Sequence, residues 1–179
     1  DTGKTVEQGT TYVALAAMAQ TLDPSVTITW DGGSSTAAVQ SAVLDLTAKV
    51  GQQYLVANGR YLYVPEGVRM EAGRVVVPLK ELVKAFDAKL SWDPADGTTS
   101  ITTGSGGIAS GDSFYNQDDL FWLCRIIYAE SGNQPLEGMM AVGNVVLNRV
   151  NDPIYPNTIV GVLAQKNQFT TYQSGKLAY

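Results

Sequence analysis

The 179-residue chain contains no histidine at all. That removes Ser-His-Asp and Cys-His catalysis, histidine-ligated zinc or copper, and the commonest neutral-pH base. It has one cysteine, Cys124, so no disulfide can form within the chain. Cys124 sits on the apolar side of a helical pattern, where packing is the expected role. Basic residues are few, 12 against 17 acidic, giving a formal charge of -5 and a pI near 4.6. Nucleic-acid binding needs a basic surface, and none is expected here. No apolar run is long enough to span a membrane. With no cluster of histidine or cysteine, neither a metal nor another cofactor is expected.

What is present divides the chain in two. From Thr11 an extended start leads through Leu15 into a short helix, then a strand at Val26–Trp30 and a turn at Asp31-Gly32-Gly33. The same order follows Val75: an extended run to Pro78, a helix from Leu79 to Phe86, a strand at Leu90-Ser91-Trp92, a turn, and Thr99–Thr102. Leu15 precedes Trp30 by about as much as Leu79 precedes Trp92, so an internal repeat of helix plus hairpin is predicted. Between the copies, Asn58-Gly59 predicts a tight hairpin turn, because both residues tolerate positive φ. A second hairpin is predicted around Glu71-Ala72-Gly73. Alternation in these strands predicts an α+β module over residues 11–103, a half-buried sheet with short helices on one face. Trp30 and Trp92, at strand ends, read as core residues, although such rings also suit stacking on sugars. Residues 104–117, rich in Gly and Ser, read as a flexible linker.

The stretch Asp118–Val150 reads as two helices hinged at a polar loop, with Asp118 and Asp119 as capping residues of the first. Pro135 marks the start of the second, which is apolar almost all round and therefore expected to be buried. Asn157 or Thr158 is expected to cap a third, short helix from Ile159 to Gln165. Glu130 falls at the end of the first helix. There the negative end of the helix dipole and partial burial would disfavour its charged form, as suits a proton donor to a leaving oxygen. A solvated helix-end carboxylate is the plainer reading of the same position. Glu137 and Asp152 are the nearest partners for a two-carboxylate mechanism. Glu137 is explained by charge at a helix N-terminus, and Asp152 by a turn before Pro153. Arg149 complements the C-terminal end of the second helix.

Two resemblances sharpen this. The run ANGRYLYVPEGVRMEAGRVVVPLKELVKAFDAKLSWDPADGTTSIT resembles the copper amine oxidase N-terminal-like, or stalk, domain, which implies a spacer or wall-associating module at residues 1–103. The motifs I-I-Y-A-E at 126–130, Q-P-L-E-G at 134–138, A-V-G-N-V-V-L-N-R-V at 141–150, Y-P-N-T-I at 155–159 and N-Q-F-T at 167–170 resemble the cell wall hydrolase family of spore cortex-lytic enzymes. This implies that residues 118–179 form the N-terminal half of an all-α, lysozyme-like domain. The implied activity is cleavage of peptidoglycan between N-acetylmuramic acid and N-acetylglucosamine, as a lytic transglycosylase or muramidase. Glu130 takes the place of the catalytic acid. Ser131, Gln168, Phe169, Thr170 and Tyr172 are implied substrate contacts, and peptidoglycan is the implied partner of a secreted protein associated with wall or spore. Where many members have A-R-G-E, this chain has Ser131-Gly132-Asn133-Gln134. The resemblance covers about half of the family's domain. Either further chain belongs beyond Tyr179, or an exposed apolar surface pairs with another copy into a homo-oligomer. The alternative function is a non-catalytic wall-binding or spacer protein carrying a degenerate hydrolase remnant.

Overall fold

Two junctions at which a strand passes directly into a helix, Ala14–Leu15 and Pro78–Leu79, organise the first half of the molecule. At both, the residue before the helix is extended (φ/ψ -64/117 and -61/130) and offers no side-chain cap. The strand backbone itself feeds the first helical turn. The computed structural model describes residues 5–7 and 9–175, in two units, Asp1–Phe114 and Tyr115–Tyr179.

The first unit opens with β1 (Thr5–Glu7), β2 (Thr10–Ala14), α1 (Leu15–Leu22), β3 (Thr27–Asp31) and β4 (Thr36–Gln40). It continues through β5 (Asp45–Lys49), β6 (Tyr54–Ala57), β7 (Arg60–Tyr63), β8 (Arg69–Glu71) and β9 (Arg74–Pro78). α2 (Leu79–Ala85), β10 (Lys89–Asp93), β11 (Thr98–Thr102) and α3 (Gly111–Phe114) close it. Every strand pair is antiparallel among the described residues, in sheets ordered β1-β2-β9-β8, β3-β4-β5-β6-β7 and β10-β11. Strand, strand, helix, strand, strand occurs twice, as β1-β2-α1-β3-β4 and β8-β9-α2-β10-β11, with β2 and β9 side by side. One core joins the sheets: Val39, Leu46 and Leu55 from the five-stranded sheet meet Val77 and Leu82, all fully buried. Not one sheet but two therefore close the core, because only the β3–β4 hairpin is extended by β5–β7. The β10–β11 hairpin stays a two-stranded ribbon with exposed residues.

The predicted turns are where the local chemistry puts them. Asn58 (φ 49) and Gly59 (φ 76) connect β6 to β7, and Ala72 (φ 47) and Gly73 (φ 75) connect β8 to β9. Residues 104–114, by contrast, are no free linker. Ile108 is buried, its amide donates to the Ala85 carbonyl at 3.0 Å, and the Gly111 amide donates to the Asn58 carbonyl at 2.8 Å. The glycines here serve close approach: a Cβ at Gly104 would collide with the Asp87 carbonyl oxygen, and one at Gly107 with the Val43 carbonyl oxygen. Gly-Ser richness that reads as flexibility is, in this segment, backbone laid on backbone.

The second unit is helical: α4 (Gln117–Ser131), α5 (Leu136–Asn151), α6 (Ile159–Leu163) and α7 (Thr170–Gln173). Asn116, rather than Asp118 or Asp119, caps α4, its side chain accepting from the Asp119 amide at 3.0 Å. Thr158 caps α6 as expected, accepting from Gly161 at 3.1 Å. Gly143 lets α4 and α5 approach, since a Cβ there would meet Ile127 at 2.9 Å. The core is small: Ile126, Val146, Ile159, Val162, Leu163 and Phe169. It is too small to cover α5, whose Val145 and Leu147 are exposed. The expected burial of α5 does not hold, nor does that of Cys124, which is exposed. The whole is α+β, antiparallel sheets first and helices last.

Candidate active site at the end of helix α4

The site begins with what fixes the last turn of α4. Ile126 is fully buried against α5 and α6, and the Ser131 hydroxyl, four residues after Ile127, donates back to the Ile127 carbonyl at 2.8 Å. Gly132 follows in the right-handed helical region, its amide closing on the Tyr128 carbonyl at 2.8 Å. A Cβ there would lie 2.5 Å from that carbonyl oxygen, so glycine permits this turn as it stands. Beyond these bonds Glu130 is exposed to solvent beside α7. The Thr171 hydroxyl donates to Glu130 Oε1 at 2.6 Å, joining residues 41 apart in sequence. A short hydrogen bond to a carboxylate is among the stronger neutral-to-charged contacts.

α7 is itself held from behind. Tyr172 packs edge-on against Trp122 of α4, with ring centroids 5.4 Å apart, and Phe169 is buried in the core. The Arg149 guanidinium lies 5.4 Å from the Tyr155 ring centroid and 5.5 Å from that of Phe169. Arg149 therefore ties α5 to the segment leading into α7, a structural role.

Of the substrate contacts expected from sequence, Gln168 and Thr170 are exposed, and Tyr172 is half-buried. Ser131 is 3% exposed and Phe169 7%. Neither environment fits a substrate contact: Ser131 stabilises the helix end and Phe169 fills the core. The expected partial burial of Glu130 is corrected too, for its side chain is exposed. Sequence reasoning passed over Thr171, although it stands between two residues it singled out. The signal was the doubled threonine in Phe169-Thr170-Thr171, whose first member opens α7 and whose second faces Glu130. Glu137 is exposed in the first turn of α5. Asp152 accepts from the Ile154 amide at 3.0 Å, as a turn-forming residue does.

Residues 1–104 match the family model of the copper amine oxidase N-terminal domain, more than half of the chain. The chain belongs to that family. As a member it carries none of the donors that its family's name suggests: it has no histidine, and among the described residues no cluster of three or more His, Cys, Asp or Glu could hold a metal ion. Residues 133–179 match the family model described as Cell Wall Hydrolase, a match that begins three residues after Glu130. The chain is similar to the spore cortex-lytic enzyme of Bacillus subtilis, 33% identical over 63 residues covering 35% of this chain and 21% of that protein. It is also similar to those of Oceanobacillus iheyensis (31% over 87 residues, 49% and 29%) and Bacillus cereus (33% over 92 residues, 45% and 36%). The chain thus spans between 21% and 36% of the length of these relatives. No helix among the described residues is long and apolar enough to cross a membrane.

Proposed function

We propose that the second unit belongs to an enzyme that cleaves peptidoglycan glycan strands between N-acetylmuramic acid and N-acetylglucosamine, with Glu130 as general acid and base. The observation that carries this is the Thr171–Glu130 hydrogen bond, which orients one carboxylate at the surface of a segment similar to spore cortex-lytic enzymes. Protonated Glu130 gives its proton to the glycosidic oxygen as the bond from the muramic C1 breaks. In a lytic transglycosylase the 6-hydroxyl of the same muramic residue then attacks C1 and its proton returns to Glu130. One carboxylate suffices for both steps. In a muramidase, water attacks instead, and a second carboxylate is normally placed ~5–9.5 Å away. Because Asp152 is committed to its turn and Glu137 sits in the first turn of α5, the one-carboxylate route is the better fit.

On this reading the second unit contributes to a lysozyme-like helical domain, and Gln168 and Thr170 contact the glycan beside Glu130. The first unit is a duplicated stalk module, and the protein works outside the cell, on wall or spore cortex. The test is the mass of fragments released from peptidoglycan: anhydro-muramyl ends identify the transglycosylase, and reducing ends the muramidase. A second reading, a non-catalytic wall-binding or spacer protein, is favoured by the exposure of Glu130. Binding to peptidoglycan without release of any fragment would establish it.

A further inference from the structure

The inner face of the five-stranded sheet is not covered along its whole width. Ile28 and Trp30 of the edge strand β3 lie opposite Val39 and Ala37 of β4, which are buried. Trp30 shares that core-facing side, yet 48% of it is exposed. The covering layer ends before it does. What lies there is a groove of about 580 Å³ between β3, the outer side of α1 and the β8–β9 turn. Small-molecule sites run from ~300 to 1,000 Å³, so a short oligosaccharide fits.

Its chemistry is graded. Alanine methyls, Ala14, Ala17 and Ala37, form a shallow apolar floor beside the indole. Gln20 and Arg74 bring polar side chains to its margins, and among the described residues no hydrogen bond or ion pair occupies either of them. A wide aromatic face, methyl-sized hollows and uncommitted amide and guanidinium groups match a pyranose ring: C–H face on the indole, acetamido methyl on the alanines, hydroxyls at the margin. Among the described residues Arg74 is the sole charged one lining the groove, in a chain with net charge -5. It removes the repulsion that an acidic surface would offer a wall polymer bearing carboxylates. An extended peptide would use β3 differently, adding to its open backbone edge rather than lying over Trp30.

We propose that the groove of Trp30, Gln20 and Arg74 is a glycan-binding site that holds an N-acetylated amino-sugar strand on the first unit. The ligand class rests on the reading of the second unit as a peptidoglycan glycosidase, whereas the groove itself does not. The first unit then anchors the chain to the polymer that the second unit is proposed to cut.

The test is binding of the purified chain to N-acetylglucosamine tetrasaccharide by calorimetry, and to insoluble peptidoglycan by co-sedimentation. Trp30→Ala is expected to weaken both about tenfold or more, and Gln20→Ala or Arg74→Ala ~3–5-fold. Trp30→Phe, which keeps a ring on the same face, should retain part of the affinity and guards against a folding artefact. Trp92→Ala, an exposed indole outside the groove, should bind as the parent does. Unchanged binding by Trp30→Ala, or binding to free stem peptides but not to peptide-free glycan, would overturn the proposal. Trp30-dependent binding without fragment release would sustain the groove while sinking the glycosidase reading; release with Trp30-independent binding would do the reverse.

Discussion

Asn58 carries more of the first unit than its place in a surface turn suggests. Its Nδ2 donates to the carbonyls of Val43 at 2.8 Å and Ile108 at 2.7 Å, and its Oδ1 accepts from the Asp45 amide at 2.8 Å. One side chain thus holds the β4–β5 connection, the β6–β7 turn and the docked segment 104–111 together. Asn58→Ala removes three hydrogen bonds, each contributing about 1 kcal/mol net. It also places alanine at φ 49, which costs a further ~1 kcal/mol. We predict a loss of about 3–5 kcal/mol, a large share of the ~5–15 kcal/mol of a typical domain. Asn58→Gly separates the two effects, keeping the loss of bonds while relieving the backbone, and should be about 1 kcal/mol less damaging. Urea unfolding gives the totals. Hydrogen exchange at the Ile108 and Gly111 amides tells whether the docked segment is released. A loss below about 1 kcal/mol with both amides still protected would refute the idea that Asn58 clamps this segment.

Two further predictions concern the second unit. Ile126→Ala empties a fully buried site at the centre of a six-residue core; the expected cost of ~2–5 kcal/mol exceeds what so small a core can spare, so circular dichroism should show loss of helix confined to this unit. Thr171→Val removes the hydroxyl that orients Glu130 and is expected to lower the rate of peptidoglycan cleavage about tenfold, while Thr171→Ser restores it.

Hairpins and helices of this molecule were legible where one or two residues decide the backbone. Asn58-Gly59 and Ala72-Gly73 fix their turns by positive φ, and Pro78-Leu79 fixes the passage from strand to helix. What escaped depends on partners distant in sequence. β4 and β5 are built from short, mixed runs whose strand character comes from pairing with each other and with β3 and β6. Segment 104–111 resembles a flexible linker in composition, and only the carbonyls of Val43, Gly59 and Asp87 reveal why its glycines are needed. Exposure was misjudged where apolar character outran the available core, as at Trp30, Trp92, Cys124 and Val145. At the candidate site, Glu130 was found through its motif and its place at a helix end. Thr171 became visible only when folding brought α7 to α4, because a hydroxyl 41 residues away leaves no local pattern.

The central claim is that Glu130 moves the proton in glycan cleavage, and its most direct test changes one atom of that side chain. Glu130→Gln keeps the shape and the hydrogen bond from Thr171 but holds no transferable acid proton. With peptidoglycan-derived glycan as substrate, the account predicts fragment release at least ~10²-fold slower than for the parent chain, at unchanged Tm and unchanged glycan binding. Equal rates of release from the two proteins would contradict it.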